Sequence, residues 1–169
     1  LRSLPIDGAV LLGGCDKTVP AQVLAATSVD VPALLLVTGP MALGSWHGER
    51  LGACTDCRRL WAASRAGRID PAETAAVGGR LAASGGTCPV MGTASTMACL
   101  VEVLGLALPG SATPTSGTGE RLRLGVQTGR RAAELAVARQ AGQEVPLVRD
   151  LLTRAALRNA VTALLALGG

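Results

Sequence analysis

At 169 residues the chain can form one domain with a sizeable core, and 49% hydrophobic residues with a mean hydropathy of +0.39 argue for a buried, globular piece. A net charge of +4 would admit a nucleic-acid partner, but the arginines are scattered and no aromatics interleave to stack on bases, so a solvated basic surface and no nucleic acid are expected. Apolar runs such as Val31 to Val37 fall far short of the roughly twenty residues of a membrane span, and no basic-plus-apolar signal segment opens the chain, so no membrane partner is expected.

The order of elements points to an α/β fold. Ile6 to Leu12 reads as a buried strand ended by Gly13-Gly14. Thr18 can cap a helix with Pro20 in its first turn, running to about Ser28. Asp30-Val31-Pro32 turns the chain into a second buried strand, Ala33 to Val37. A strand, a helix and a strand in roughly thirty residues make a βαβ unit, so the strands should be parallel. Gly39 to Ala53 has the glycines and polar residues of a long loop, and Thr55 or Asp56 begins a helix that stops at Gly67. Asp70-Pro71-Ala72-Glu73 opens another helix, fading near Ser84. Gly85-Gly86-Thr87-Cys88-Pro89 is a second glycine-rich turn, followed by a helix through about Leu104. After a linker from Pro109 to Gly119, Leu122, Val126, Gly129 and Ala133 mark an apolar stripe on a helix from about Glu120 to Ala141. A last helix starts near Thr153, with Leu157, Ala160, Val161 and Leu164 on one face. Two strands are too few for a complete parallel sheet, so a fragment of a larger domain is expected.

With no Phe or Tyr, the core must be built from Ala, Val and Leu. The five cysteines are an odd number without a secretory signal, which fits free or ligating thiols in a reducing cytoplasm better than a disulfide framework. Cys15 and Cys88 stand in matching contexts, with glycines before and a helix start after. A helix amino terminus favours anions and so a thiolate that binds metal, and glycines let backbone approach a bulky inorganic group. Cys15 also lies past the carboxyl end of a strand, where open α/β sheets place their ligands. Next to it, Asp16 is a hard carboxylate and Lys17 is the only lysine among sixteen Lys and Arg residues. That economy points to amine chemistry, since a guanidinium cannot lose its proton to react; an ion pair with Asp16 is the plainer alternative. Cys99, in an apolar helical stretch, reads as core. Cys54-Thr55-Asp56-Cys57 reads as a decoy, because structural zinc needs about four ligands and His47 is the sole histidine. A redox CxxC would follow a strand and open a helix, whereas a long loop is expected before Cys54. His47, beside Trp46, reads as a surface or pocket-rim residue.

Two stretches then carry a resemblance. Gly14-Cys15-Asp16-Lys17-Thr18-Val19-Pro20-Ala21 and Gly86-Thr87-Cys88-Pro89-Val90-Met91-Gly92-Thr93-Ala94-Ser95-Thr96-Met97 closely resemble two signatures of the dihydroxy-acid and sugar-acid dehydratases, the IlvD/Edd family. Glu102 to Gly110 continues the second, and Asn159-Ala160 with Leu167-Gly168-Gly169 looks like the run into the family's Gly-Gly-Ser-Thr-Asn motif. The resemblance implies an α/β/α layered domain with a parallel sheet, helix-rich in this fragment. Residues 1–169 would be a partial amino-terminal cluster- and Mg-binding domain, with the carboxyl-terminal domain absent. It implies that Cys15 and Cys88 are two of three cysteines holding an iron–sulfur cluster, 2Fe-2S in preference to 4Fe-4S. It implies that Asp16 binds Mg²⁺ and that Lys17, carbamylated, is a further Mg²⁺ ligand within the catalytic machinery. The third cysteine, further acidic ligands and the serine base of the family lie outside the chain. Met91 to Met97 looks more like the pentonate-type enzymes than like the branched-chain biosynthetic enzymes, which usually carry Tyr-Thr-Ala-Asn-Thr-Met there. The activity implied is therefore a cytoplasmic, homo-oligomeric hydro-lyase acting on a small sugar acid. A dihydroxy-acid dehydratase is the alternative, and a non-catalytic α/β domain or a zinc or redox module at Cys54 and Cys57 is the rival from another class.

Overall fold

The computed structural model describes residues 1–169, the side chain of Ala53 excepted. Its centre is the expected βαβ unit: strand β1 (Ala9–Gly13), helix α1 (Thr18–Thr27) and strand β2 (Ala33–Val37). The strands pair in parallel, in a register running from Ala9 opposite Ala33 to Gly13 opposite Val37. Alternation along β2 sets the layers. Ala33, Leu35 and Val37 point into a core shared with Val19 and Ala26 of α1 and with Ala98 and Val101 of helix α4 (Thr93–Val103). Leu36 points the other way, where its Cδ2 lies 3.7 Å from the position a Cβ on Gly125 would take, in the long helix α5 (Gly119–Gln140). Helices therefore cover both faces of the sheet, the layering expected for an α/β domain.

Strand β1 differs from the expectation. It starts at Ala9, where the Ala9 N–H donates to Pro32, and its only partner is β2. The outer edge of β2 is met by Leu106, whose carbonyl accepts from Leu35 N at 2.7 Å, whereas β1 has no partner on its outer edge among the described residues; Leu12 is exposed and the strand is half-buried instead of buried.

Residues 39–53 also differ. A hairpin replaces the expected loop, with β3 (Gly44–Trp46) antiparallel to β4 (Glu49–Leu51). His47 and Gly48 both take positive φ, 48° and 82°, as a two-residue hairpin turn demands. Helix α2 (Ala53–Arg65) then begins two residues before Thr55, and α3 (Pro71–Leu81) packs against both α2 and β3, with Leu51 and Val77 buried.

The stripe expected on α5 faces outward. Leu122 and Val126 are exposed, as are Gly129 and Ala133, while Arg121, Leu124, Thr128 and Leu135 are buried. A short helix α6 (Val148–Leu151) and helix α7 (Arg154–Leu167) close the chain, and on α7 Ala160 alone of the expected face is fully buried. Among the described residues no helix is long and apolar enough to cross a membrane.

Candidate functional site

The carboxyl ends of β1 and β2 open into a cleft of about 630 Å³, lined by the Cys15 and Cys88 turns and the start of α4. Two glycines bring the turns together. A side chain on Gly14 would run into Thr38 Oγ1 and Thr87 Cγ2, so the Cys15 turn lies directly against both the β2 end and the Cys88 turn. Gly86 sits at φ 134° with its Cα face 2.6 Å from Met41 N as measured from a Cβ position, a space and a conformation that only glycine fills. Thr87 is pinned between them: its N–H donates to Gly39 at 3.0 Å, and its carbonyl accepts from Met41 at 2.9 Å. Cys88 is thus carried on a strap held by an isolated parallel bridge between Thr87 and Pro40, past the end of β2.

The settings of the two thiols match only in part. Cys15 abuts α1, since its carbonyl accepts from Val19 N in the helix's first turn. Cys88 does not open a helix; Pro89 to Gly92 intervene before α4. Thr18 is the first residue of α1 and not its cap: Lys17 holds that position, without a side-chain cap bond. Both cysteines are exposed toward the cleft and free.

Asp16 also lines the cleft. The Cys15 thiol donates to its Oδ1 at 3.0 Å, and the Lys17 ammonium stands 3.5 Å from its Oδ2. The thiol first and the ammonium second hold the Asp16 carboxyl below its ordinary value, so it stays a hard anion beside a soft sulfur. Lys17 is not part of the cleft wall; its side chain is 89% exposed and reaches Asp16 from solvent.

The remaining wall carries Thr18, Thr38 and Thr93 with Val90 and Ala94. Cys54 lines it too, which the sequence reading missed. The ground for dismissing Cys54-x-x-Cys57 fails in part, because β4 precedes it and the pair opens α2. The signal was the His47-Gly48 turn, which makes two short strands out of an apparent loop. His47 stays exposed in that turn, 3.6 Å from Glu73, away from the cleft. Cys99 packs against the central core, and burial, then Glu102, pushes its thiol up. Among the described residues no three His, Cys, Asp or Glu side chains converge closely enough for one ion. This segment brings three thiols, those of Cys15, Cys54 and Cys88, and the Asp16 carboxylate to the cleft without closing a ligand set.

The model of the family described as dihydroxy-acid/6-phosphogluconate dehydratase, N-terminal, matches residues 1–169. The chain belongs to this family. The D-xylonate dehydratase of Caulobacter vibrioides is 41% identical over 170 residues, covering 100% of this chain and 27% of that protein. The L-arabonate dehydratase of Azospirillum brasilense is 42% identical over 169 residues, with 100% and 28% covered. A dihydroxy-acid dehydratase of Thermodesulfovibrio yellowstonii is 36% identical over 163 residues, with 96% and 28% covered. The chain therefore spans under a third of the length of these relatives. The dehydratase family accounts for the arrangement of the glycine turns: both signatures that carry the resemblance meet at one cleft.

Proposed function

We propose that the full-length protein is a hydro-lyase that removes water from a sugar acid of the pentonate or hexonate type, and that this cleft is part of its active site. The observation that carries the reading is the meeting of Cys15, Asp16 and Cys88 on one cleft at the carboxyl ends of parallel strands.

The donor set fits the groups that such chemistry uses. Cys15 and Cys88 are soft, exposed thiols on glycine turns and would hold an iron–sulfur cluster; Asp16 is an ionised oxygen donor and would hold Mg²⁺. When bound, the cluster supplies a Lewis acid for the departing 3-hydroxyl, and Mg²⁺ anchors the carboxylate and 2-hydroxyl. The rest falls to the polypeptide. The Cys15 thiol must give up its proton to become a ligand, and doing so frees the Asp16 oxygen that now accepts from it. The threonine hydroxyls of the wall suit a polyol, while Val90 and Ala94 limit the water around it. Loss of the C2 proton to a base, with the C3 hydroxyl leaving as water, gives an enol that tautomerises to the 2-keto-3-deoxy acid. Lys17, as a carbamate, would add a second anionic oxygen donor beside Asp16. Its support is that it is the single lysine and adjoins the Asp16 carboxylate.

Gly92 supports the sugar-acid substrate over the branched-chain one. It lines the cleft where the latter enzymes usually carry tyrosine, and a Cβ there would meet only Val90 Cγ2, at 3.8 Å. The open wall leaves room for a longer hydroxylated chain.

Iron, sulfide and zinc analysis of the purified full-length protein, with its visible spectrum, tests the reading. Iron with sulfide and a visible absorbance that Cys15→Ser or Cys88→Ser abolishes is expected, with Cys54→Ser and Cys57→Ser retaining it. Zinc alone, or an unchanged spectrum in Cys88→Ser, overturns it. Faster turnover of dihydroxyisovalerate than of any pentonate or hexonate would move the substrate to the branched-chain class.

A further inference from the structure

Arg121 is the buried charge that the site leaves unexplained. It sits in the first turn of α5 at 8% exposure, and no carboxylate bridges it among the described residues. Burial works against its charge, and a buried ion is tolerated only where hydrogen bonds replace water. Three carbonyls do so. Nη1 donates to Val37 at 2.9 Å and to Ser111 at 2.7 Å, and Nη2 donates to Pro114. Nε finds no acceptor. Such an arrangement is dearer than an apolar packing of the same volume, so its use lies in what it fixes.

What it fixes is the end of β2 behind the cleft. Val37, whose carbonyl it grips, is followed by Thr38, whose N–H donates to Gly13 at 3.0 Å and whose side chain abuts Gly14. Gly39 lies against the guanidinium and against Pro114, and its carbonyl receives Thr87 N. Pro40 bridges Thr87 and accepts from Ser116 N at 2.8 Å. The Cys15 turn therefore docks on Thr38, the Cys88 turn docks on Gly39 to Met41, and one guanidinium stands behind both.

We propose that Arg121 is a positioning residue, which sets the separation of the Cys15 and Cys88 thiols by clamping the β2 end to the 111–114 loop. The inference rests on the reading of these thiols as ligands, but its geometry is tested without the ligand. A lysine at this position keeps the charge and loses the planar fork that serves three carbonyls at once, so Arg121→Lys loosens the clamp.

The experiment is bridging of Cys15 to Cys88 by the bifunctional thiol reagent dibromobimane, read by mass spectrometry, on full-length protein stripped of metal, comparing wild type with Arg121→Lys. Because both thiols are exposed, bridging reports their separation, and its rate is expected to fall by about five-fold or more in the variant, with single alkylation of Cys15, Cys88 and Cys99 by iodoacetamide within two-fold of wild type. An unchanged bridging rate would overturn the proposal, as would a common rise in alkylation that includes the core thiol Cys99. Should the variant not fold, hydrogen exchange of the wild type decides: the Thr38, Met41 and Thr87 amides are expected to be protected like those of β2, and exchange as fast as at Glu144 and Val145 overturns the clamp. A wild type that carries no iron or sulfide when isolated would defeat the cluster reading and leave this comparison standing.

Discussion

Six of the helices divide by how they begin. Helices α3, α5 and α7 start away from the cleft, and each has a side-chain cap: Asp70 accepts from Glu73 N at 2.7 Å, Thr118 from Arg121 N at 3.3 Å and Thr153 from Ala156 N at 3.1 Å. Helices α1, α2 and α4 all begin at the cleft, after Lys17, Gly52 and Gly92, and none has a cap bond from that residue. Capping groups satisfy amides that would otherwise need water or a ligand. The chain thus places its side-chain caps on the scaffold and none at the cap positions of the cleft, where in α1 the Cys15 carbonyl accepts from Val19 N instead.

The comparison breaks most readily at Lys17, the cap position of α1. Lys17→Arg keeps the cation but cannot form a carbamate, so the full-length enzyme should lose about a hundred-fold or more in kcat/KM together with Mg²⁺ affinity, as expected when a metal ligand goes. Steady-state kinetics with a Mg²⁺ titration check this, and near-wild-type values would return Lys17 to an ion-pair role. On the scaffold side, Asp70→Ala, Thr118→Ala and Thr153→Ala should each lower stability by about 1 kcal/mol in urea unfolding while substrate affinity is kept. Gly92→Asp inverts the design by supplying α4 with a cap. Because glycine is itself a fair cap residue, the gain in stability should be only a few tenths of a kcal/mol, accompanied by weaker substrate binding as a charge enters the cleft. A loss of stability without change in binding would dissolve the contrast.

The beginning of α2 offers the finest test, since Asp56 stands in for a cap there by accepting from Gly52 N at 2.6 Å. That amide first, then Arg59, holds the Asp56 carboxyl below its ordinary 3.8. A carboxyl lowered on folding stabilises the native state above the unfolded value, and that contribution is lost as pH falls through the folded one. Thermal unfolding between neutral and strongly acid pH should therefore decline less steeply below 3.8 in Asp56→Asn than in the wild type.

How much of this was legible depends on which residues carried the information. The βαβ unit could be read because Ala33 to Val37 is an unbroken apolar run, short and bounded by turn residues as a buried strand is. The caps of α3 and α7 could be read from Asp70 and Thr153 for the same local reason. The hairpin could not, because Ser45, Trp46, Glu49 and Arg50 form no apolar alternation and only His47-Gly48 betrayed it. The orientation of α5 was also hidden. Leu122, Val126, Gly129 and Ala133 make the better apolar stripe, yet Arg121 faces inward because the carbonyls of Val37, Ser111 and Pro114 receive it, and Thr128 is buried with it although its hydroxyl finds no partner. That Cys15, Asp16 and Cys88 meet at one cleft was legible from their glycine turns and the family signatures. Cys54 was not, since its place on the wall depends on the unrecognised hairpin.

The contact of Gly14 with Thr87 has a consequence for the order of assembly. Two stretches far apart in the chain must touch before Cys15 and Cys88 share a cleft, and closing so long a loop costs entropy that only the finished sheet end and its strap repay. A nascent or partly folded chain therefore presents its thiols singly, with no two-sulfur site for a ligand. Capture by both sulfurs becomes possible only after the intervening hairpin and helices have docked, so a bound metal would serve as a receipt for completed folding.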